Sequence, residues 1–146
     1  MITLKFGQDI FQSEYTLVNP VNCVGISGKG LALEFKNKYP LYFEEYRILC
    51  KSEQIVLGKP YYNKTYNIIS FPTKHHWKEK SKLEPIIEGI HELKKFNLKN
   101  LACPALGCGL GGLVWNDIYH DIRQALESLD IPVELYIEFG ETSICN

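Results

Sequence analysis

Apolar positions in this chain follow two spacings, and the spacing switches repeatedly from one end to the other. Ile2, Leu4 and Phe6 alternate with polar neighbours and predict a first strand, which Gly7-Gln8-Asp9-Ile10 breaks. Tyr15 to Val18 predicts a second strand running into Asn19-Pro20-Val21-Asn22-Cys23, followed by the loop Gly25-Ile26-Ser27-Gly28-Lys29-Gly30. Helical spacing covers Leu31 to Lys38, Pro40 ends it, and Leu41 to Lys51 predicts another helix. After the turn Leu57-Gly58-Lys59-Pro60, Tyr61 to Asn63 and Tyr66 to Phe71 predict two strands. Ser81-Lys82-Leu83-Glu84 has capping-box spacing. Leu83, Ile86, Ile87, Ile90 and Leu93 then predict a helix of about four turns. Leu101 to Leu106 is a short apolar strand leading into Gly107-Cys108-Gly109-Leu110-Gly111-Gly112. Trp115, Ile118, Ile122, Ala125, Leu126 and Leu129 predict a last helix, and Val133, Leu135 and Ile137 a last strand.

Strands separated by helices predict an α/β fold, with a central, mixed, mostly parallel sheet covered by helices on both faces. At 146 residues the chain is expected to form one domain, 1–146. A net charge of -1 excludes a global basic field that would draw the protein to nucleic acid. Any nucleic-acid contact must come from the local patch at 74–82. The residues after Met1 read as a strand, with neither a leader pattern nor an apolar run of membrane length, so a cytoplasmic protein with no membrane partner is expected. The five cysteines, Cys23, Cys50, Cys103, Cys108 and Cys145, are odd in number and lack C-x-x-C spacing. Neither a disulfide framework nor a metal site is indicated, and reduced, mostly buried thiols are expected.

Candidate chemistry centres on Phe71-Pro72-Thr73-Lys74-His75-His76-Trp77-Lys78-Glu79-Lys80-Ser81-Lys82, which carries four lysines and two histidines. Pro72 pushes the residue before it to an extended conformation, so the strand should stop there and pass Lys74 to a strand-end loop. In open α/β sheets ligands bind at the carboxyl ends of strands, where a lysine faces substrate rather than only solvent. Both glycine loops lie between a strand and a helix, where free backbone N–H groups and the helix dipole favour anions, and two such loops fit the two phosphates of a diphosphate. Gly25 to Gly30 is not a Walker A loop, since Gly30 stands after Lys29 where Ser or Thr would hold magnesium. Gly107-x-Gly109-x-x-Gly112 matches the dinucleotide fingerprint, but the chain ends one strand later, without room for a dehydrogenase's substrate half.

Val18-Asn19-Pro20-Val21-Asn22-Cys23-Val24-Gly25-Ile26-Ser27-Gly28-Lys29-Gly30-Leu31-Ala32 resembles the macrodomain, an ADP-ribose-binding α/β module, and Pro104 to Leu113 resembles that family's second phosphate loop. With Phe71-Pro72-Thr73-Lys74-x-His76-Trp77, the chain is most similar to the DarG-type branch, which removes ADP-ribose from DNA bases (thymidine or guanosine) modified by DarT-type toxins. The resemblance implies a DNA ADP-ribosyl glycohydrolase with Lys74 catalytic and Asn22 positioning the distal ribose. It also implies an ADP-ribose-binding set of Asp9, Ile10, Asn19, Gly28, Lys29, Gly30, Leu31, Pro72, Thr73, Leu106, Gly107, Cys108, Gly109, Leu110, Gly111 and Gly112. Gly7-Gln8-Asp9-Ile10 stands for the family's Gly-Asp-Ile, so either Gln8 or Asp9 contacts adenine, residue type favouring Asp9. Protein-directed members carry an aspartate at the position of Gly111, which this chain lacks. The branch also has a toxin-binding half, which a chain ending at Asn146 is expected to lack while still serving a DarT-type partner reaction.

The implied partners are ADP-ribose and ADP-ribosylated single-stranded DNA, with His76, Trp77 and Lys78 as DNA contacts and no cofactor or metal. Burial and neighbouring cations lower a lysine's pKa and suit it to attack the anomeric carbon, although a purely electrostatic role fits the same residue. Trp77 is suited either to stacking an unpaired base or to covering the loop. The competing readings are a non-catalytic ADP-ribose reader, a hydrolase of ADP-ribose 1''-phosphate or ADP-ribosylated protein, and a thiol enzyme using Cys23 or Cys108.

Overall fold

The computed structural model describes residues 1–108 and 111–138, so Gly109, Leu110 and Cys145 lie outside the described residues. In chain order the elements are β1 (Ile2–Phe6), β2 (Leu17–Asn22), α1 (Gly30–Lys38), α2 (Pro40–Lys51), β3 (Tyr61–Asn63), β4 (Ile68–Lys74), α3 (Leu83–Glu92), β5 (Leu101–Pro104), α4 (Trp115–Glu127) and β6 (Val133–Ile137). The strands form one six-stranded sheet in the order β1-β6-β5-β2-β4-β3. Every pairing is parallel except that of β3 with β4.

Side chains of alternate parity in the central strands enter different cores, as the two-residue period of a strand requires. On one face, Val18, Ile69, Phe71, Cys103 and Leu135 pack with Ile86 and Ile90 of α3 and Ile118, Ile122 and Leu126 of α4. On the other, Leu17, Ile68 and Ala102 meet Phe35 of α1 and Tyr42 of α2, while Val21 and Cys23 meet Tyr46 and Cys50. Each aliphatic or phenyl side chain so buried contributes about 1.5–3 kcal/mol relative to exposure. Among the described residues, no helix is long and apolar enough to cross a membrane.

Three local features depart from the sequence expectations. β2 does not end at Val18 but continues through Pro20 to Asn22, and β4 does not end at Phe71 but runs through Pro72 to Lys74. The two strands pair along this whole stretch, and their register shifts between Val21 and Asn22, opposite the point where Pro72 supplies no N–H. Lys74 is therefore the last residue of a strand rather than part of a loop. The capping box at Ser81 does not form: Lys82 is the N-cap of α3, and it makes no side-chain cap hydrogen bond. Pro40 opens α2 as its first residue, where its missing N–H costs nothing. Cys23, Cys50 and Cys103 are free and buried as expected, whereas Cys108 is disulfide-bonded.

The chain passes from β2 outward to β4, then returns to place β5 on the other side of β2 and continues to β6. Strand order therefore reverses at the β2–β5 boundary. Such a reversal leaves a crevice outside the carboxyl ends of the strands, because successive connections depart in opposite directions.

Candidate active site

A cavity of about 1200 Å³ occupies this crevice. Its wall includes Asn22 at the end of β2, Thr73 and Lys74 at the end of β4, Pro104 at the end of β5, and Tyr136 in β6. Asn22 and Lys74 are register partners across the β2–β4 ladder, and the next rung is the Cys23 amide donating to the His75 carbonyl at 2.8 Å. Lys74 is half-buried, and that desolvation holds its ammonium below the ordinary lysine pKa, with the Glu79 carboxylate acting in the opposite direction.

The Asn22 side chain builds the first glycine loop. Its Oδ1 accepts from the amides of Val24 (3.1 Å), Gly25 (3.1 Å) and Ile26 (3.4 Å), while its Nδ2 donates to the Ile26 carbonyl at 2.7 Å. Gly25 sits at φ +83°, a left-handed conformation that glycine adopts without steric cost, and this turns the chain back over the asparagine. The loop then presents Ile26, Ser27, Gly28, Lys29 and Gly30 to the cavity and enters α1, whose Leu31, Ala32 and Glu34 continue the wall. Lys29 is the N-cap of α1 and supplies no side-chain cap, so its own side chain does not compete for the first-turn amides. Uncapped amides and the helix dipole there suit a phosphate.

The second glycine loop contributes Ala105, Cys108 and Gly111 to the wall. Several of its amides are already paired: Cys108 donates to the Ala105 carbonyl at 3.2 Å and Gly111 to the Cys108 carbonyl at 3.3 Å. Gln8 and Asp9 both line the wall. Asp9 Oδ1 accepts from the Phe11 amide at 3.0 Å and so caps the 3-10 turn Ile10–Gln12.

The lysine segment adds Trp77 and Lys78 to the wall. The Lys78 amide donates to His76 Nδ1 at 3.1 Å, the His76 and Trp77 rings lie 5.3 Å apart, and Lys78 Nζ stands 5.1 Å from the Trp77 centroid. Trp77 nevertheless remains 46% exposed, an unusual state for so large an apolar side chain.

Of the residues singled out in the sequence, Asn22, Lys74, Asp9, Ile10, Gly28, Lys29, Gly30, Leu31, Thr73, Cys108, Gly111, Trp77 and Lys78 come together around one cavity. Asn19, Pro72, Leu106, Gly107, Gly112 and His76 are not part of its wall. Asn19 is buried, with its Nδ2 donating to the Tyr42 hydroxyl at 3.0 Å, and Tyr42 in turn meets Ser70 at 2.5 Å. Pro72 lies within the strand ladder, opposite Val21. Leu106 belongs to the core, and Gly107 is backed by Leu113 and Ile86. Gly112 faces the Lys80 stem. Sequence reasoning missed Tyr136 and Glu34 in the wall and Tyr46 behind it. Tyr136 alternates with the buried Leu135 and Ile137, and that alternation was the available signal.

The Macro domain profile matches residues 18–121, a stretch that holds both glycine loops and Lys74. The chain belongs to the Macro domain family. This macrodomain is 39% identical over 151 residues to the DNA ADP-ribosyl glycohydrolase of Mycobacterium tuberculosis, an alignment that covers 96% of this chain and 43% of that protein. The chain thus spans less than half the length of that relative. Among solved structures, the macrodomain of Mycobacterium tuberculosis DarG superposes with a TM-score of 0.84 at 37% identity, covering 92% of this chain and 97% of that one. Thermosipho africanus DarTG in complex with ADP-ribose superposes with a TM-score of 0.82 at 36% identity, covering 90% of this chain and 40% of that one.

Proposed function

We propose that this macrodomain binds ADP-ribose in the crevice and cleaves it from a modified DNA base. The observation that carries the reading is Lys74 itself. It is a half-buried lysine with a depressed pKa at the wall of a cavity flanked by two glycine loops, and it pairs in register with Asn22. A plain reader of ADP-ribose has no use for such a group. Support also comes from the relatives: the 39%-identical Mycobacterium tuberculosis protein is a DNA ADP-ribosyl glycohydrolase, and the Thermosipho africanus structure was solved with ADP-ribose.

In this scheme the diphosphate lies between the start of α1 and the second glycine loop, and adenine lies towards Asp9 and Ile10. The distal ribose lies at Asn22. Because Asn22 Oδ1 is consumed by the loop, only the Nδ2 hydrogen not used by Ile26 is left for the sugar. Neutral Lys74 Nζ donates its lone pair to the distal anomeric carbon. The C–N bond to the base breaks, the base keeps the bonding pair, and it takes up a proton equivalent to the one the new lysine–sugar ammonium releases. The glycosylamine opens to its imine, water adds to the C=N carbon and the amine leaves, freeing ADP-ribose. Trp77, pre-arranged by His76 and Lys78 at the wall, stacks the modified or neighbouring base of a single strand, and Lys78 meets its phosphate.

The substrate is produced by a DarT-type transfer of ADP-ribose to DNA, and the Thermosipho africanus relative is itself a fusion of DNA ADP-ribosyl transferase and glycohydrolase. The test is incubation with single-stranded DNA carrying ADP-ribosyl-thymidine or ADP-ribosyl-guanosine. Release of ADP-ribose is expected; binding of free ADP-ribose without release supports a reader instead.

A further inference from the structure

Ser81 stands seven positions after Lys74, on the segment that returns from the cavity wall to α3. It is 5% exposed, and its hydroxyl has no hydrogen-bond partner among the described residues. Its backbone and its side chain both meet the second glycine loop. Its amide donates to the Gly111 carbonyl at 2.9 Å. A Cβ built on Gly111 would stand 2.6 Å from Ser81 Oγ and 3.2 Å from Ser81 Cβ. Gly111, in turn, is part of the cavity wall.

We infer that Ser81 is a positioning residue that latches the second glycine loop to the segment carrying Lys74, and that the latch requires residue 111 to have no side chain. One hydrogen bond and one close approach set how far this wall of the cavity stands from the strand end that delivers Lys74. The substrate's phosphates and its anomeric carbon must be held by the two sides at once, so the separation governs whether the reacting atoms meet. Displacements of about 1 Å are enough to cost orders of magnitude in rate. A side chain at 111 has no room, because Ser81 occupies that space.

The activity arm of the test rests on the proposed glycohydrolase reading; the structural arm does not. Gly111→Ala should lower kcat/KM on ADP-ribosylated DNA by about ten-fold or more and weaken ADP-ribose binding, because the loop must retreat from Ser81. It should also speed hydrogen exchange of the Ser81 amide, whose bond to the Gly111 carbonyl is stretched. Placing Gly111→Ala on Ser81→Ala should recover part of each loss, since the 2.6 Å contact disappears and the 3.2 Å contact remains. On Ser81→Gly it should recover most of each. Ser81→Ala alone keeps the backbone amide, so its exchange protection should match wild type and it serves as the reference for the double variant. The inference is overturned if Gly111→Ala behaves as wild type, or if the two double variants are no better than Gly111→Ala alone. Wild type that releases no ADP-ribose, with graded recovery of Ser81 amide protection across the series, refutes the glycohydrolase reading and leaves the latch standing.

Discussion

The hydroxyl of Tyr46 in α2 reaches both oxygens of Asn22, standing 2.8 Å from its backbone carbonyl and 3.0 Å from its Oδ1. Burial, next to the Cys50 thiol, pushes the Tyr46 pKa well above its ordinary value, so the phenol keeps its proton and remains a donor. A helix residue behind the sheet thereby fixes the asparagine that folds the first glycine loop. One turn earlier in α2, Tyr42 meets Asn19 with the opposite polarity: Asn19 Nδ2 donates to the Tyr42 hydroxyl at 3.0 Å.

Tyr46→Phe therefore removes the donor and leaves the buried Asn22 oxygens with one partner fewer. The expected cost is about 1–3 kcal/mol of folding stability. ADP-ribose affinity should fall several-fold because the loop amides lose their anchor. Denaturant unfolding and calorimetric titration check the two parts. Unchanged affinity at reduced stability would confine Tyr46 to the core.

Lys74 gives the reaction a predicted pH dependence. The ammonium cannot attack carbon, so the rate should rise with pH as Lys74 deprotonates and level off above its pKa. Desolvation lowers that pKa, so the rise should be complete below the pH at which an ordinary lysine titrates. Glu79 acts against the burial, and Glu79→Gln should move the rising limb to lower pH. Single-turnover rates against pH test both signs. A limb that Glu79→Gln shifts upward, or that Lys74 variants leave in place, would assign the titration to another group.

Trp77→Ala should weaken binding of the DNA substrate by about 1–3 kcal/mol, seen as a raised KM, while free ADP-ribose binds within a few-fold of wild type. Equal losses on DNA and on free ADP-ribose would make Trp77 a cover for the sugar rather than a platform for a base.

Most of the fold was legible because hydrophobic period alone separates strands from helices. Its limits show at the prolines. Pro72 read as a stop, yet β4 continues past it, as β2 does past Pro20, because parallel pairing to a neighbour holds an extended chain even where one donor is missing. That extension is what puts Lys74 in register with Asn22. The residues that share the cavity wall were legible as motifs, but not how they hold one another. Nothing in Asn22 itself reveals that Tyr46, 24 positions away, holds it, or that its oxygen is spent on loop amides. Ser81 carried the spacing of a helix cap, whereas its partner is Gly111, which only the packing of α3 against the sheet brings near. The odd cysteine count argued for free thiols, and that rule misses a disulfide whenever one or more cysteines remain unpaired, as with Cys108.

The central claim is that Lys74 performs the chemistry, and the most direct measurement is release of ADP-ribose from ADP-ribosylated single-stranded DNA by wild type, Lys74→Ala and Lys74→Arg, alongside binding of free ADP-ribose. Lys74→Ala is predicted to abolish release while binding stays within a few-fold, because a group matched to the transition state affects chemistry more than ground-state affinity. Arginine keeps the charge but does not deprotonate, so Lys74→Arg is predicted to be as inactive as alanine, with wild type alone trapped by borohydride as a lysine–sugar adduct. Full release by Lys74→Ala would contradict the account at its centre; a near-normal rate for Lys74→Arg would replace attack by Lys74 with electrostatic stabilisation.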